Sequence, residues 1–201
     1  MKRFICEQNI AHFEKLLSGA NSSPLQKTLQ SLLASARREL ALLDAEEKGV
    51  DDWPIRENHD QPIDASSVRQ QFLSDFDGSQ HPYMIIDPGP GLQIVDINGA
   101  YAAATFKKRD EIVGKSLFEV FPDNPNDPLA DGISNLYASL KAVAQTGRPH
   151  AMAVQRYDVR TPAGGFLERY WQPLNTPVHD PNGRLVFLLH YVEDVTDQVL
   201  R

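Results

Sequence analysis

The chain has 201 residues, 41% of them apolar and 23% charged, with a net charge of −7; this suits a globular protein with one core and an accessory element. The negative balance excludes sequence-independent binding of nucleic acid, which needs a basic footprint, and no apolar run is long enough to cross a bilayer. The single cysteine, Cys6, excludes an internal disulfide framework and a cysteine-rich zinc site.

The start, Met1 to Cys6, has the outline of a signal peptide, but Glu7, His12 and Glu14 interrupt any apolar region, so the chain reads as cytoplasmic. Residues 4–47 predict two helices. The first carries Ile10, Phe13, Leu16 and Leu17 at helical spacing and ends at Gly19-Ala20-Asn21. The second begins with Ser23 as N-cap, Pro24 at the first helical position and Gln26 completing a capping box. Its stripe runs Leu25, Leu29, Leu32, Leu33, Ala36, Leu40, Leu43. The short connection folds the pair into an antiparallel hairpin, residues 1–48. So small a hairpin cannot cover both stripes by itself, and a partner copy is the simplest cover, giving a homodimer. His12 followed by Glu14 is similar to the phosphoacceptor helix of histidine kinases. The Glu is not adjacent, no Pro follows, and no ATP-binding boxes exist, so a solvated histidine is the better reading.

Residues 49–63 read as a polar linker holding Pro54 and Pro62. A helix over 66–76 follows, with Val68, Phe72, Leu73 and Phe76 on one face. Strands are expected near 83–87, 92–97, 150–160, 166–178 and 185–195, and helices near 98–104, 109–113 and 132–146. Gly89-Pro90-Gly91, Ala163-Gly164-Gly165 and Asp180-Pro181-Asn182-Gly183 supply the turns between strands. The last two divide three long strands into an antiparallel meander. The segment Leu185 to Val192 is almost continuously apolar, which predicts a strand covered on both faces; the 66–76 helix is the candidate for the outer one.

This order of elements, closed by a strand ending in Asp194-Val195-Thr196-Asp197, resembles the PAS sensor domain over residues 66–197. Phe121-Pro122-Asp123-Asn124-Pro125 and Tyr170 to Pro177 resemble a subgroup attached to histidine kinases in bacteria. The resemblance implies an α+β fold: a PAS-like five-stranded antiparallel sheet with flanking helices, here in a domain over 64–201 preceded by the helical hairpin. It implies a signal relay at Asp194 and Thr196, which would tie the last strand to whatever follows; the plain alternative is a terminal cap.

Tyr157, Trp171 and His190 lie on the three long strands, with Arg156, Asp158 and Arg169 beside them, and a concave sheet face with aromatics and a few polar groups is a candidate ligand site. Core roles with one satisfied hydrogen bond compete with that reading, and strand parity is not fixed by the sequence. Among the cofactors the resemblance brings, cysteine-based flavin photochemistry is set aside because Cys6 lies outside the PAS-like region. Haem would hang on His150 or His190, since the helix over 132–146 has no histidine, and a flavin without cysteine chemistry is the other cofactor left open. The ligand itself stays unknown. Signatures of hydrolases, zinc peptidases and P-loop enzymes are missing. Two classes of function are therefore expected. One is a non-enzymatic sensory module that binds a small ligand or a partner protein and relays the change through its helical flanks to an effector such as a histidine kinase. The other is a ligand-free scaffold for a signalling complex.

Overall fold

The computed structural model describes residues 1–50 and 76–201. Most of the expected linker and of the 66–76 helix lies outside the described residues. Helices α1 (Lys2–Gly19) and α2 (Ser23–Lys48) form the antiparallel hairpin. The N-cap of α2 is Ser22, one residue before the expected Ser23, and it makes no side-chain cap bond. Gln26 does not close a capping box; its amide donates to the Ala20 carbonyl instead, at 2.8 Å, because the chain turns back there.

Two faces of α2 are used. Leu29, Leu33 and Ala36 are buried and face α1 with Leu40 and Leu43. Nearly opposite on a 3.6-residue helix are Ala34, Arg38, Ala41 and Ala45. Ala41 and Ala45 belong to the main core of the protein. The small side chains on this face let α2 lie close against the helix Gly132–Thr146. Leu29, Leu33 and Ala36 of the stripe are thus buried within the hairpin, which the sequence reading had not expected it to manage by itself, while the alanine face packs on the rest of the chain. Leu16, Leu25, Leu32 and Leu42 stay exposed. At the end of α2 the backbone turns at Gly49, with φ +66, and an added Cβ there would lie 2.1 Å from the Gly89 carbonyl oxygen. That approach lets Gly91 N–H donate to Ala45 O at 2.7 Å and Val50 N–H to Pro88 O at 2.9 Å.

The main sheet contains β1 (Tyr83–Ile86), β2 (Ile94–Ile97), β3 (His150–Ala151), β4 (Gln155–Arg156), β7 (Tyr170–His179) and β8 (Leu185–Asp194). Its order is β2-β1-β8-β7-β3, antiparallel throughout, with β4 also on β7. It therefore has five positions across, and β3 and β4 share the outermost. The expected single strand over 150–160 is broken. Met152 N–H donates to Pro173 O at 3.0 Å, but Pro173 has no N–H to return, so the ladder lapses between β3 and β4. Beyond it, β5 (Val159–Arg160) and β6 (Phe166–Leu167) form a separate two-stranded hairpin.

The further helices bounded within the described residues are α3 (Gly99–Thr105), α4 (Arg109–Ile112), α5 (Leu117–Val120), α6 (Gly132–Thr146) and the single turn α7 (Thr196–Val199). They include those expected near 98–104, 109–113 and 132–146. Asn98 organises one corner. Its carbonyl accepts from Tyr101 and Tyr83 N–H, and its amide donates to Phe76 and His81 carbonyls. One buried side chain thereby caps α3 and fixes β1 and the strand approach. As the unbroken apolar run predicted, β8 is covered on both faces. Leu188 and Val192 join the core under the helices; Val186 and Phe187 pack with Phe76, Ile85 and Val178 on the far side. Among the described residues no helix is long and apolar enough to cross a membrane.

Candidate functional site

The long strands decide which side chains face the helices. On β7, Trp171, Pro173 and Asn175 point inward while Gln172 and Leu174 are exposed. Asn175 is paired with His190 in the sheet register, and Leu188, His190 and Val192 are the inward residues of β8. Above them α3 contributes Tyr101 and Thr105, α5 Leu117 and Phe118, and α6 Ile133 and Leu136. Between these layers lies a cavity of about 70 Å³, with no Asp, Glu, Lys or Arg among the described residues that line it. It is half the size of an engineered apolar cavity of about 150 Å³ that takes up benzene.

Tyr157, Trp171 and His190, singled out in the sequence, all line this one cavity. Trp171 Nε1–H donates to the Tyr157 carbonyl at 2.9 Å. The Tyr157 hydroxyl donates to the Phe121 carbonyl, and burial pushes this phenol well above its ordinary range. Gly132 makes room for the Tyr157 ring, since a Cβ there would lie 2.2 Å from it. His190 is 4% exposed, and burial lowers its pKa to about 4, so the ring is neutral near pH 7. Its Nδ1 lies 2.6 Å from Asn175 Oδ1. The Asn175 amide donates to Ser139 Oγ at 2.7 Å, and Ser139 Oγ is 2.7 Å from His150 Nδ1. A chain of polar groups thus crosses the sheet from the cavity to the exposed β3.

The neighbours of the predicted site residues do other work. Asp158 is buried and bound by Arg156 and by the Asn124 amide, and Arg169 pairs with Asp194 at 3.3 Å. None of these three borders the cavity. Asp194 Oδ1 accepts from Thr196 N–H at 3.0 Å and from the Thr196 hydroxyl. Thr196 Oγ1 accepts from Tyr170 N–H at 2.9 Å, and Val195 N–H donates to Tyr170 O at 2.8 Å. The tail is therefore stitched to the first residue of β7, next to the cavity residue Trp171.

The geometry does not suit the cofactors considered. A porphyrin or flavin needs a pocket of the roughly 300–1,000 Å³ class, far above the space here. His150 lies outside the lining. Cys6 is buried in the hairpin, where burial raises its pKa, the reverse of what thiolate chemistry requires.

Several important side chains escaped the sequence reading. Tyr101 lines the cavity, Asn175 and Ser139 form the polar chain behind His190, and the one available signal was that Asn175 shares strand parity with Trp171. Arg38 was also missed. From α2 it binds Asp123 at 2.7 Å and donates to the Ala130 carbonyl. Asp123 is almost fully buried, its other oxygen accepts from Ile133 N–H at 3.1 Å, and burial raises its pKa despite the guanidinium beside it. The hairpin is thereby fastened to the loop between α5 and α6, whose two ends, Phe121 and Gly132 to Ile133, wall the cavity.

The sequence model of the family described as PAS fold matches residues 76–200. Among solved structures the chain is similar to the LOV protein of Rhodobacter sphaeroides, with 15% identity over 64% of this chain and 68% of that one and a TM-score of 0.50. It is also similar to the PAS domain of BvgS from Bordetella pertussis, with 20% identity over 66% and 92% of the two chains and a TM-score of 0.49. A third similar structure is a PAS domain from Colwellia psychrerythraea, with 13% identity over 65% and 98% and a TM-score of 0.48. The search of curated proteins finds no match. At 15% identity the likeness to the LOV protein speaks to the fold alone.

Proposed function

Because the chain belongs to the PAS fold family, whose members are sensory and signalling modules rather than catalysts, we propose that it binds a small uncharged molecule in the cavity between sheet and helices and relays occupancy through its helical flanks. The cavity carries this reading: Tyr157, Trp171 and His190 converge on it and, among the described residues, no ionised group lines it, so an anionic ligand would find no counter-charge there. Two connections suit the relay. Arg38 and Asp123 join α2 to the loop whose ends wall the cavity, while Asp194 and Thr196 join the end of β8 to the start of β7. A shift of Phe121 or Ile133 on filling would bear on the first connection, and a shift of Trp171 on the second. Both are tightly packed elements in which small displacements propagate.

In this reading residues 64–201 form a cytoplasmic sensor and residues 1–48 its docking element, acting on a partner such as a histidine kinase or a fused effector. The exposed leucines of the hairpin make a second copy the natural occupant of its open face, giving a homodimer. A ligand-free scaffold is the second reading, favoured by the small volume of the cavity. Native and denaturing mass spectrometry of freshly purified protein, with an absorption spectrum, separates the two. Added mass that leaves on denaturation supports the sensor. If mass stays unchanged and a library of small neutral metabolites gives no binding, the scaffold reading stands instead.

A further inference from the structure

We propose that His190 is the specificity-determining residue of the cavity, and that it selects small neutral ligands carrying an N–H or O–H donor. The proposal rests on the reading of the cavity as a ligand site and adds the chemistry of what enters it. Its basis is the polarity of the hydrogen-bond chain behind the ring.

Asn175 can face His190 with its carbonyl or its amide, and its surroundings choose. Asn175 Nδ2 lies 2.7 Å from Ser139 Oγ and 3.5 Å from Met152 Sδ. A thioether sulfur accepts but cannot donate, so the NH₂ group belongs on that side and the carbonyl oxygen faces the histidine. Asn175 Oδ1, 2.6 Å from His190 Nδ1, therefore needs a donor, and a neutral imidazole has a single N–H. The proton sits on Nδ1, and Nε2 is left as a bare acceptor. Nε2 has no hydrogen-bond partner among the described residues. With Nδ1 held by Asn175, it is the ring nitrogen left to meet a molecule in the cavity that His190 lines. The Tyr101 ring stands edge-on to His190 with centroids 6.1 Å apart, lines the same cavity, and its hydroxyl is likewise without a partner among the described residues. A ligand donating to Nε2 and accepting from Tyr101 satisfies both. One lacking a donor leaves the buried acceptor unpaired, which is costly. Anions are disfavoured twice, by the lone pair and by the uncharged lining.

Pyrrole and furan are small rings of the same shape that differ in an N–H donor, and they form the test. In protein with ¹⁵N-labelled histidine, the ring nitrogens of His190 are expected to show a protonated Nδ1 and a bare Nε2. Pyrrole is expected to move the Nε2 resonance and to bind about tenfold more tightly than furan, the scale of one buried hydrogen bond. His190→Leu is expected to bring the two affinities within about twofold. A bare Nδ1 in the wild-type protein, or equal binding of furan and pyrrole, overturns the role of His190 while leaving the cavity as a ligand site. If neither ring, in millimolar excess, moves the Trp171 indole or His190 resonances, both the selection and the ligand site fall. The ring-nitrogen measurement needs no variant, so the proposal remains testable even if His190→Leu does not fold.

Discussion

Acidification should cost this protein stability through one buried side chain. His190 is expected to have its ordinary pKa of about 6.5 in the unfolded chain, whereas burial holds it at about 4 in the folded one. Between those values the unfolded state binds more protons, so stability rises with pH across the window. The contribution is complete above pH about 6.5 and is lost progressively as pH falls toward about 4. Working the two titrations through, the loss between pH of about 7.5 and about 5 is about 2 kcal/mol. That is a large share of the roughly 5–15 kcal/mol of an ordinary domain. Urea unfolding of the wild-type protein and of His190→Gln at both pH values isolates it. His12, His81, His150 and His179 are exposed and Asp123 shifts the opposite way, and all of these cancel when the pH slope of the variant is subtracted. The wild-type protein should lose about 2 kcal/mol more than the variant. An equal loss in both would show that His190 is protonated in the fold or reached by water, and would refute the argument.

Arg38→Met leaves the buried Asp123 carboxyl without its cation and should cost about 3 kcal/mol, with faster hydrogen exchange at Ile133 N–H; an unchanged melting temperature would show that the hairpin is not held by this pair. Asp194→Ala removes the acceptor for Thr196 N–H and should cost about 1 kcal/mol while exchange quickens in α7. A loss several times larger, read from urea unfolding, would show that the tail holds the whole sheet. Leu32→Glu alters an exposed position on the hairpin, so it should leave the fold intact and reduce a dimer to monomer in light scattering. Leu29 is unsuitable for this purpose because it is already buried within the hairpin. A dimer mass retained by Leu32→Glu would move the interface elsewhere.

Much of the architecture could be read from local chemistry. The Pro and Gly turns delimit β7 and β8, the helical spacing of Leu29, Leu33, Ala36 and Leu40 marks α2, and the unbroken apolar run of β8 announces a strand with two covered faces. Trp171 and His190 were recognisable as candidates because aromatic and imidazole groups on long strands are natural cavity walls; Tyr157 lines the cavity too, but from the gap between β4 and β5 rather than from the long strand expected there. Ser22, rather than Ser23, as N-cap and the break at Pro173 show where such reading fails. The first turns on the extended backbone angles of a single residue, the second on a bond to Met152 across the sheet, and composition reports neither.

What the sequence determined by itself is the set of elements and their apolar faces, since periodicity and turn propensity act over a few residues. Only the tertiary structure decided which face of β7 meets the helices, that Asn175 orients His190, and that Ala34, Arg38, Ala41 and Ala45 form a second working face of α2. A one-residue change of register exchanges the two sides of a strand, and an alanine looks the same in solvent as in a close helix contact. These features exist only when segments far apart in the chain are brought within hydrogen-bonding or van der Waals distance, as Arg38 and Asp123 are at 2.7 Å.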